Sequence, residues 1–461
     1  MSSISSPSRL SGHLRATLGI GLPLIGSMLA QIAITLTDTV MMGWYGVEEL
    51  AAVALGGSYF HVILILGMGF GLAVMPLVAA AAANGDRRQR RRVTRMGLWI
   101  GLIFSTAVMP LFLFSGPILL SLGQAPEVAH LTEAYLVIAG WGIAPAVLTT
   151  VLRSHLSALD HARIVLWATL AGVGLNAGLN WVLIFGNLGA PELGVAGAAL
   201  ASLATHLLIV AVLALYAACQ RDLRQDTLFA RFHRPDWEAM GQVFRLGWPI
   251  ALTLLSESGL FMATMVMMGW LGPNSLAAHG IAIQICAATF MVHIGLSQAA
   301  TVRAGRAWGV GDVVNLRLAA FAALILSGAM VAATIAAFLL IPEPLIGLFL
   351  DPGDPLRPQI IALGASLLVV AALFQLADAG QVMALGLLRG VQDTRMPMIY
   401  ALVSYWLLGL PAAWVLGFPM GFEGPGIWAG LVVGLAFAAG LMMMRFWRGP
   451  ARGRTTRPAP V

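Results

Sequence analysis

Three carboxylates, Asp38, Glu257 and Asp378, lie deep inside hydrophobic stretches that carry no other charge apart from Arg245 near one end. A carboxylate at mid-bilayer costs ~2.5–3.5 kcal/mol on insertion scales, so such a residue faces a protein interior or water and handles protons or cations. Gln31 and Thr35 share one helical face with Asp38, at spacings of seven and three. Gln375 and Gln381 bracket Asp378 at i−3 and i+3, and Thr253, Ser256 and Ser258 surround Glu257. Asn176 and Asn180, at i and i+4, aim their amides the same way. Two chemistries fit these stripes. Low dielectric favours a neutral carboxyl group, which can then carry a proton near neutral pH. Alternatively, hard oxygen donors replace the water shell of a small hard cation. The same carboxylates attract a cationic ligand, and competition between two positive ligands at one site couples their exchange.

The elements that must position these residues are helices in a membrane. Of the 461 residues, 59% are hydrophobic and 10% charged, with a mean hydropathy of +0.87. A spanning helix takes ~20 apolar residues. Twelve stretches qualify, at roughly 16–44, 50–83, 93–116, 130–156, 163–187, 194–218, 242–271, 276–304, 315–342, 358–388, 396–419 and 424–447. The alternation of a barrel is absent. The expected fold is an all-α polytopic membrane protein.

The charge of +6 does not mark a nucleic-acid partner. All 26 basic residues are arginines, and they alternate with the expected topology. Arg9 and Arg15, Arg87–Arg95, Arg153 and Arg163, Arg221–Arg245 (Arg231 among them), Arg303–Arg317, Arg389 and Arg395, and Arg445–Arg457 (with Arg454) fall on one side. Glu48, Glu49, Glu127, Glu192, Glu343, Asp351, Asp354 and Glu423 fall on the other, with Arg357 the exception. The positive-inside rule then places both termini in the cytoplasm. Cys219 and Cys286 form no framework or metal spacing. No removed signal peptide is read at the polar N-terminus, so the first span is the expected insertion signal.

The chain is written twice. Val40–Gly46 recurs as Val266–Gly272, Gly21-Leu22-Pro23 as Gly247-Trp248-Pro249, and Gly85-Asp86 as Gly311-Asp312, all at an offset of 226 residues. Later the offset is read as 233, pairing Asp160 with Asp393 and Trp181 with Trp414. Six spans per repeat make a parallel repeat. Two six-helix lobes around a central cleft are expected. The division is 1–15 as a cytoplasmic N-terminal tail, 16–218 as the first lobe, 219–241 as a cytoplasmic linker, 242–447 as the second lobe, and 448–461 as a disordered cytoplasmic tail. The acids break the symmetry, since Asp38 faces Thr264, Glu257 faces Gln31 and Asp378 faces Pro145.

Other features read more simply. His61, His206 and His293 suit interior or interfacial histidines, and Met262, Met265, Met267 and Met268 ordinary packing. Trp44 and Trp270 suit interfacial anchors. Pro23 and Pro249 each remove a backbone hydrogen bond inside a span and can bend it. Gly309-Val310-Gly311-Asp312 matches the GxGD pattern of intramembrane aspartyl proteases, but its repeat partner Gly85-Asp86 indicates a turn glycine and a capping aspartate.

The chain resembles the MATE family of multidrug and cation antiporters, in its NorM-like branch. The resemblance rests on Asp38-Thr39-Val40-Met41-Met42-Gly43, on Glu257, on Gln375–Ala379, on Leu388–Thr394, and on Asn176 with Asn180. It departs at Leu159–Arg163, which lacks the family's basic-Thr-Arg-Pro turn. The resemblance implies export of cationic or amphipathic compounds in exchange for Na⁺ or H⁺ by alternating access. It implies a cation site at Glu257 and Asp378, and a second at Asp38, Asn176 and Asn180, each able to take Na⁺. The polar faces of Gln31, Thr35 and Gln375 would support them, and Pro23 and Pro249 would supply bending. No other cofactor is implied. The expected setting is a bacterial inner membrane, with membrane lipid, small-molecule substrates and a monomeric chain. A lipid-linked saccharide flippase of the same superfamily is the nearest alternative, and an intramembrane aspartyl protease the alternative from a different class.

Overall fold

The computed structural model describes residues 10–230, 232–353 and 355–453. Arg9, Arg231, Asp354, Arg454 and Arg457 lie outside the described residues, as do positions 1–9 and 454–461 of the expected tails. Among the described residues there are helices and no strands. Twelve helices are long and apolar enough to cross a membrane: α1 Leu10–Tyr45, α2 Val47–Ala83, α3 Arg87–Leu113, α4 Pro126–Ala158, α5 Ala162–Phe185, α6 Gly194–Cys219, α7 Trp237–Trp270, α8 Pro273–Val310, α9 Val313–Leu340, α10 Arg357–Gly390, α11 Arg395–Gly417 and α12 Glu423–Arg448. Within hydrocarbon, each backbone N–H and C=O must be satisfied inside its own segment, which is why apolar stretches this long become helices.

The repeated Gly-Asp pairs end one helix and start the next. Gly85 and Gly311 take the left-handed conformation, with φ of +70° and +75°, which glycine adopts without a Cβ clash. The Asp86 carboxylate then accepts from Gln89 N at 2.8 Å, and that of Asp312 from Asn315 N at 2.9 Å. Each caps an orphan amide of α3 or α9. The Asn315 amide holds the Asp312 carboxyl below the usual carboxylate range. The GxGD segment is therefore helix punctuation.

Compact packing divides the chain within α1 and α7. One unit comprises the described residues up to Ile25 together with Leu252 onward; the other is Gly26–Ala251. Each boundary falls two residues after the repeated proline, Pro23 or Pro249. In the Gly26–Ala251 unit, Gly247 of α7 lies against Phe70, where an added Cβ would come within 2.6 Å of the ring. In the other unit, Gly295 of α8 lies equally close to Ile25. The cores are apolar, one built around Met42, Phe112, Leu136 and Ile184, the other around Phe338, Leu368, Trp428 and Phe446.

The structure corrects the repeat register by one residue and supplies the cause. The α4–α5 turn places Asp160 at φ 67° and bonds His161 N to Leu156 O; the α10–α11 turn places Gln392 at φ 62° and bonds Asp393 N to Leu388 O. Asp160 therefore corresponds to Gln392 rather than Asp393, an offset of 232. After Val403–Gly409, which winds as a π-helix within α11, the offset becomes 233, as between the Leu183 and Leu416 carbonyls; the glycines packed on them, Gly197 and Gly426, follow loops of different length and stand 229 apart. A π turn accommodates one extra residue.

Two connections also differ from a plain reading of charge. The α3 arginines hold the segment before α7. Arg92 pairs with Asp236 and Glu238, Arg90 with Asp226, and Arg95 donates to Ala230 O. Hydrogen bonding from Arg92 keeps the Asp236 carboxyl below its ordinary range. Past Trp447, where disorder was expected, α12 continues to Arg448, and a 3₁₀ turn at Pro450–Arg452 is held by Arg317, which donates to Ala451 O. Burial of Ala451 and capture of its carbonyl by a guanidinium order that turn.

Candidate functional site

The polar residues gather into two clusters, one in each unit. In the Gly26–Ala251 unit, α1 supplies Asp38 and α5 supplies Asn176 and Asn180. One Asp38 oxygen accepts from Asn176 Nδ2 at 2.9 Å and from Asn180 Nδ2 at 2.6 Å. The other accepts from Ser202 Oγ of α6 at 2.9 Å. Both asparagines are fully buried, and Asn180 also donates to Asn176 Oδ1 at 3.3 Å. Tyr135 of α4 lies beside Asp38 and Ser202. The i, i+4 spacing of the asparagines brings both amides to one acid, as their helical geometry requires.

Gln31 and Thr35 share the Asp38 face but are exposed and make no bond to it. Gln31 instead meets Arg153, whose Nη1 lies 3.4 Å from its Oε1. Ser202 and Tyr135 were not singled out by sequence. A lone serine in a helix of small residues carries no pattern, and Tyr135 stands in the amphipathic start of a span.

In the other unit, α7 supplies Glu257, α10 supplies Gln375, Asp378, Gln381 and Arg389, and the π turn of α11 supplies Tyr405. Glu257 is 7% exposed and Asp378 1%, and the two carboxylates are near enough to interact electrostatically. Gln381 and the Arg389 guanidinium lie beside Glu257, and Tyr405 is close to both acids and to Arg389. Gln375 donates to Thr289 Oγ1 at 2.7 Å. Ser256 accepts from Trp406 Nε1 at 2.8 Å, which ties α7 to the π turn.

Oxygens without a hydrogen-bond donor are more numerous in this second cluster than in the first, where among the described residues Asn180 Oδ1 alone is so placed. Glu257 Oε1, Asp378 Oδ1, Gln375 Oε1, Gln381 Oε1 and the Tyr405 hydroxyl are buried without a partner among the described residues. Unsatisfied buried polar atoms are costly, and a concentration of them around two carboxylates is the arrangement a bound proton or ion would satisfy. These are hard oxygen donors, the type that suits a small hard cation or a proton. No group of three His, Cys, Asp or Glu side chains among the described residues has the geometry to hold a metal ion.

Two of the arginines that the sequence assigns to the cytoplasmic side do not point away from the helices. Arg153 and Arg389 lie in the last turns of their helices, yet turn inward toward Gln31 and Glu257. The other minor readings fare variously. His293 bonds Ser327 Oγ at 3.0 Å and His206 stacks on Phe60, while His61 is exposed. Met267 and Met268 are buried, but Met262 and Met265 are exposed. Trp44 and Trp270 stand exposed at matching helix ends, as interfacial anchors do.

Residues 23–182 and 249–415 match the MatE family. Among curated relatives, "Probable multidrug resistance protein NorM" of Rhizobium meliloti is 46% identical over 95% of this chain and 93% of its own length. The protein of the same name from Agrobacterium fabrum is 43% identical over 94% and 93%. Among solved structures, an outward-facing multidrug resistance MATE family transporter of the MOP superfamily aligns with a TM-score of 0.87 at 22% identity, covering 99% of this chain and 100% of that one. A eukaryotic MATE transporter aligns with a TM-score of 0.84 at 20% identity, covering 96% and 98%.

Proposed function

Because the chain belongs to the MatE family of multi-pass membrane transporters, we propose that it exports cationic or amphipathic drugs in exchange for Na⁺ or H⁺ by alternating access. The reading places it in a bacterial inner membrane as a monomer with both termini cytoplasmic. Relatives that share close to half its residues are named as multidrug resistance proteins, which supports drug export.

The observation that carries the coupling is the buried pair Glu257 and Asp378 with its unpartnered oxygens. A proton or Na⁺ arriving there gains contacts that no side chain already supplies. An ion biases a two-state transporter only through different affinities for the two states, and a site with this much unmet bonding capacity can provide that difference. Asp38, Asn176 and Asn180 form the second coupling site in this proposal. Pro23 and Pro249 supply the bendable points. The chemistry is movement of ions and solutes, with no bond made or broken.

The test is ethidium efflux from proteoliposomes under an imposed Na⁺ gradient and then an imposed pH gradient. Efflux driven by either gradient supports the antiporter and names its ion. A lipid-linked saccharide flippase would show neither response and would instead move labelled lipid-linked sugar between leaflets.

A further inference from the structure

Arg153 of α4 is 5% exposed, five residues before the end of its helix. Among the described residues no carboxylate pairs with it; its one side-chain contact is Gln31 Oε1 at 3.4 Å, the outer limit of a hydrogen bond. Its Nε is buried with no partner. Four residues to either side, Thr149 Oγ1 and Ser157 Oγ are buried and equally without partners. The spacing sets all three on one face of α4. A buried guanidinium without a countercharge is costly, and its planar fork matches a carboxylate in bidentate fashion. Every unsatisfied group in this row can donate a hydrogen bond.

Gln31 connects this row to the acid already described. It lies on α1 seven residues before Asp38, about 10 Å along the helix at 1.5 Å per residue. One unit thus offers a negative group and a buried positive group along the same face of α1.

We propose that Arg153, with Thr149 one turn away, forms an oxyanion subsite that takes the carboxylate of an amphiphile bearing both charges, whose ammonium end lies toward Asp38. This inference rests on the drug-export reading. A small free carboxylate offers the same chemistry from another source, and the test separates the two.

The test uses the full-length protein in proteoliposomes with a rhodamine dye that has a free carboxylate and with its methyl ester, following equilibrium binding and efflux. Arg153→Gln weakens binding of the acid by about tenfold or more and that of the ester by less than about twofold. Arg153→Lys restores part of the loss, because it keeps the charge without the fork. Thr149→Val acts in the same direction but less strongly. Equal losses for acid and ester, or no loss for either, overturn the proposal. In the wild type, acetate displaces the acid but not the ester. If acetate binds in an Arg153-dependent way while the acid binds no better than the ester, the site serves free anions and the amphiphile assignment falls. The wild-type preference and the acetate competition decide the matter even if Arg153→Gln does not fold. If the wild type exports neither dye under any gradient, the export reading fails, while Arg153-dependent binding of the acid still upholds the subsite.

Discussion

The two acidic clusters are built from the same residue types and prepared in opposite ways. Asp38 is held by three donors, two amides and a hydroxyl, so most of its lone pairs are already engaged. Glu257 and Asp378 lie in a cluster in which five oxygens have no donor, and the neighbouring Arg389 is not in ion-pair contact. A cation arriving at Asp38 must share or displace existing bonds. One arriving between Glu257 and Asp378 displaces none. The contrast teaches that a buried carboxylate is defined less by its own depth than by what its neighbours leave undone. The first cluster is arranged for order, the second for occupancy.

The sharpest way to break this comparison is to remove the capacity of the second cluster. Asp378→Asn folds normally but reduces gradient-driven ethidium efflux to the level of protein-free vesicles; undiminished efflux would sink the assignment of the coupling site. Asp38→Asn leaves a measurable fraction of coupled efflux, because the Glu257–Asp378 pair remains. A deeper loss in Asp38→Asn than in Asp378→Asn reverses the ranking of the two clusters.

Stability should rank them the other way. Ser202→Ala removes a bond to a carboxylate and costs about 1.5–3 kcal/mol, as hydrogen bonds to charged groups do. Gln381→Ala, whose amide lies beside Glu257 without good hydrogen-bond geometry, costs less, and thermal unfolding in detergent compares them directly. The smallest effect lies outside the membrane. Arg92 keeps the Asp236 carboxyl below its ordinary range, so the pair contributes stability above that range and loses it as pH falls through the folded value. Asp236→Asn therefore lowers stability at neutral pH by at most about 1 kcal/mol, as partly exposed pairs do. The gap between wild type and variant closes in acid; a gap that persists there assigns the effect to packing.

Much of this was legible in the residues. Helix number followed from hydropathy, because a membrane leaves long apolar segments no other structure. That Asn176 and Asn180 point together was readable from their i, i+4 spacing; that they meet Asp38 was implied only by the family resemblance. What escaped was set by tertiary approach. Ser202 reaches Asp38 from a helix with no polar stripe, and Tyr405 arrives on a π turn that no residue pattern announces. Arg389 looked like an end-of-helix charge because sequence fixes where a long side chain begins and not where its guanidinium comes to rest. The one-residue register error came from the same π turn, which a single offset had averaged over.

The packing boundaries at Ile25 and Ala251 bear on how the molecule can be taken apart. Cutting the gene in the connection before α7 yields two fragments with six spans each, a division natural to the duplicated text. Yet residues 10–25 are wedged among helices encoded after the cut, and 242–251 among those encoded before it. Each product would carry a plug belonging to the other and a socket missing its own. Co-expression, not separate refolding, is the only arrangement in which such halves close.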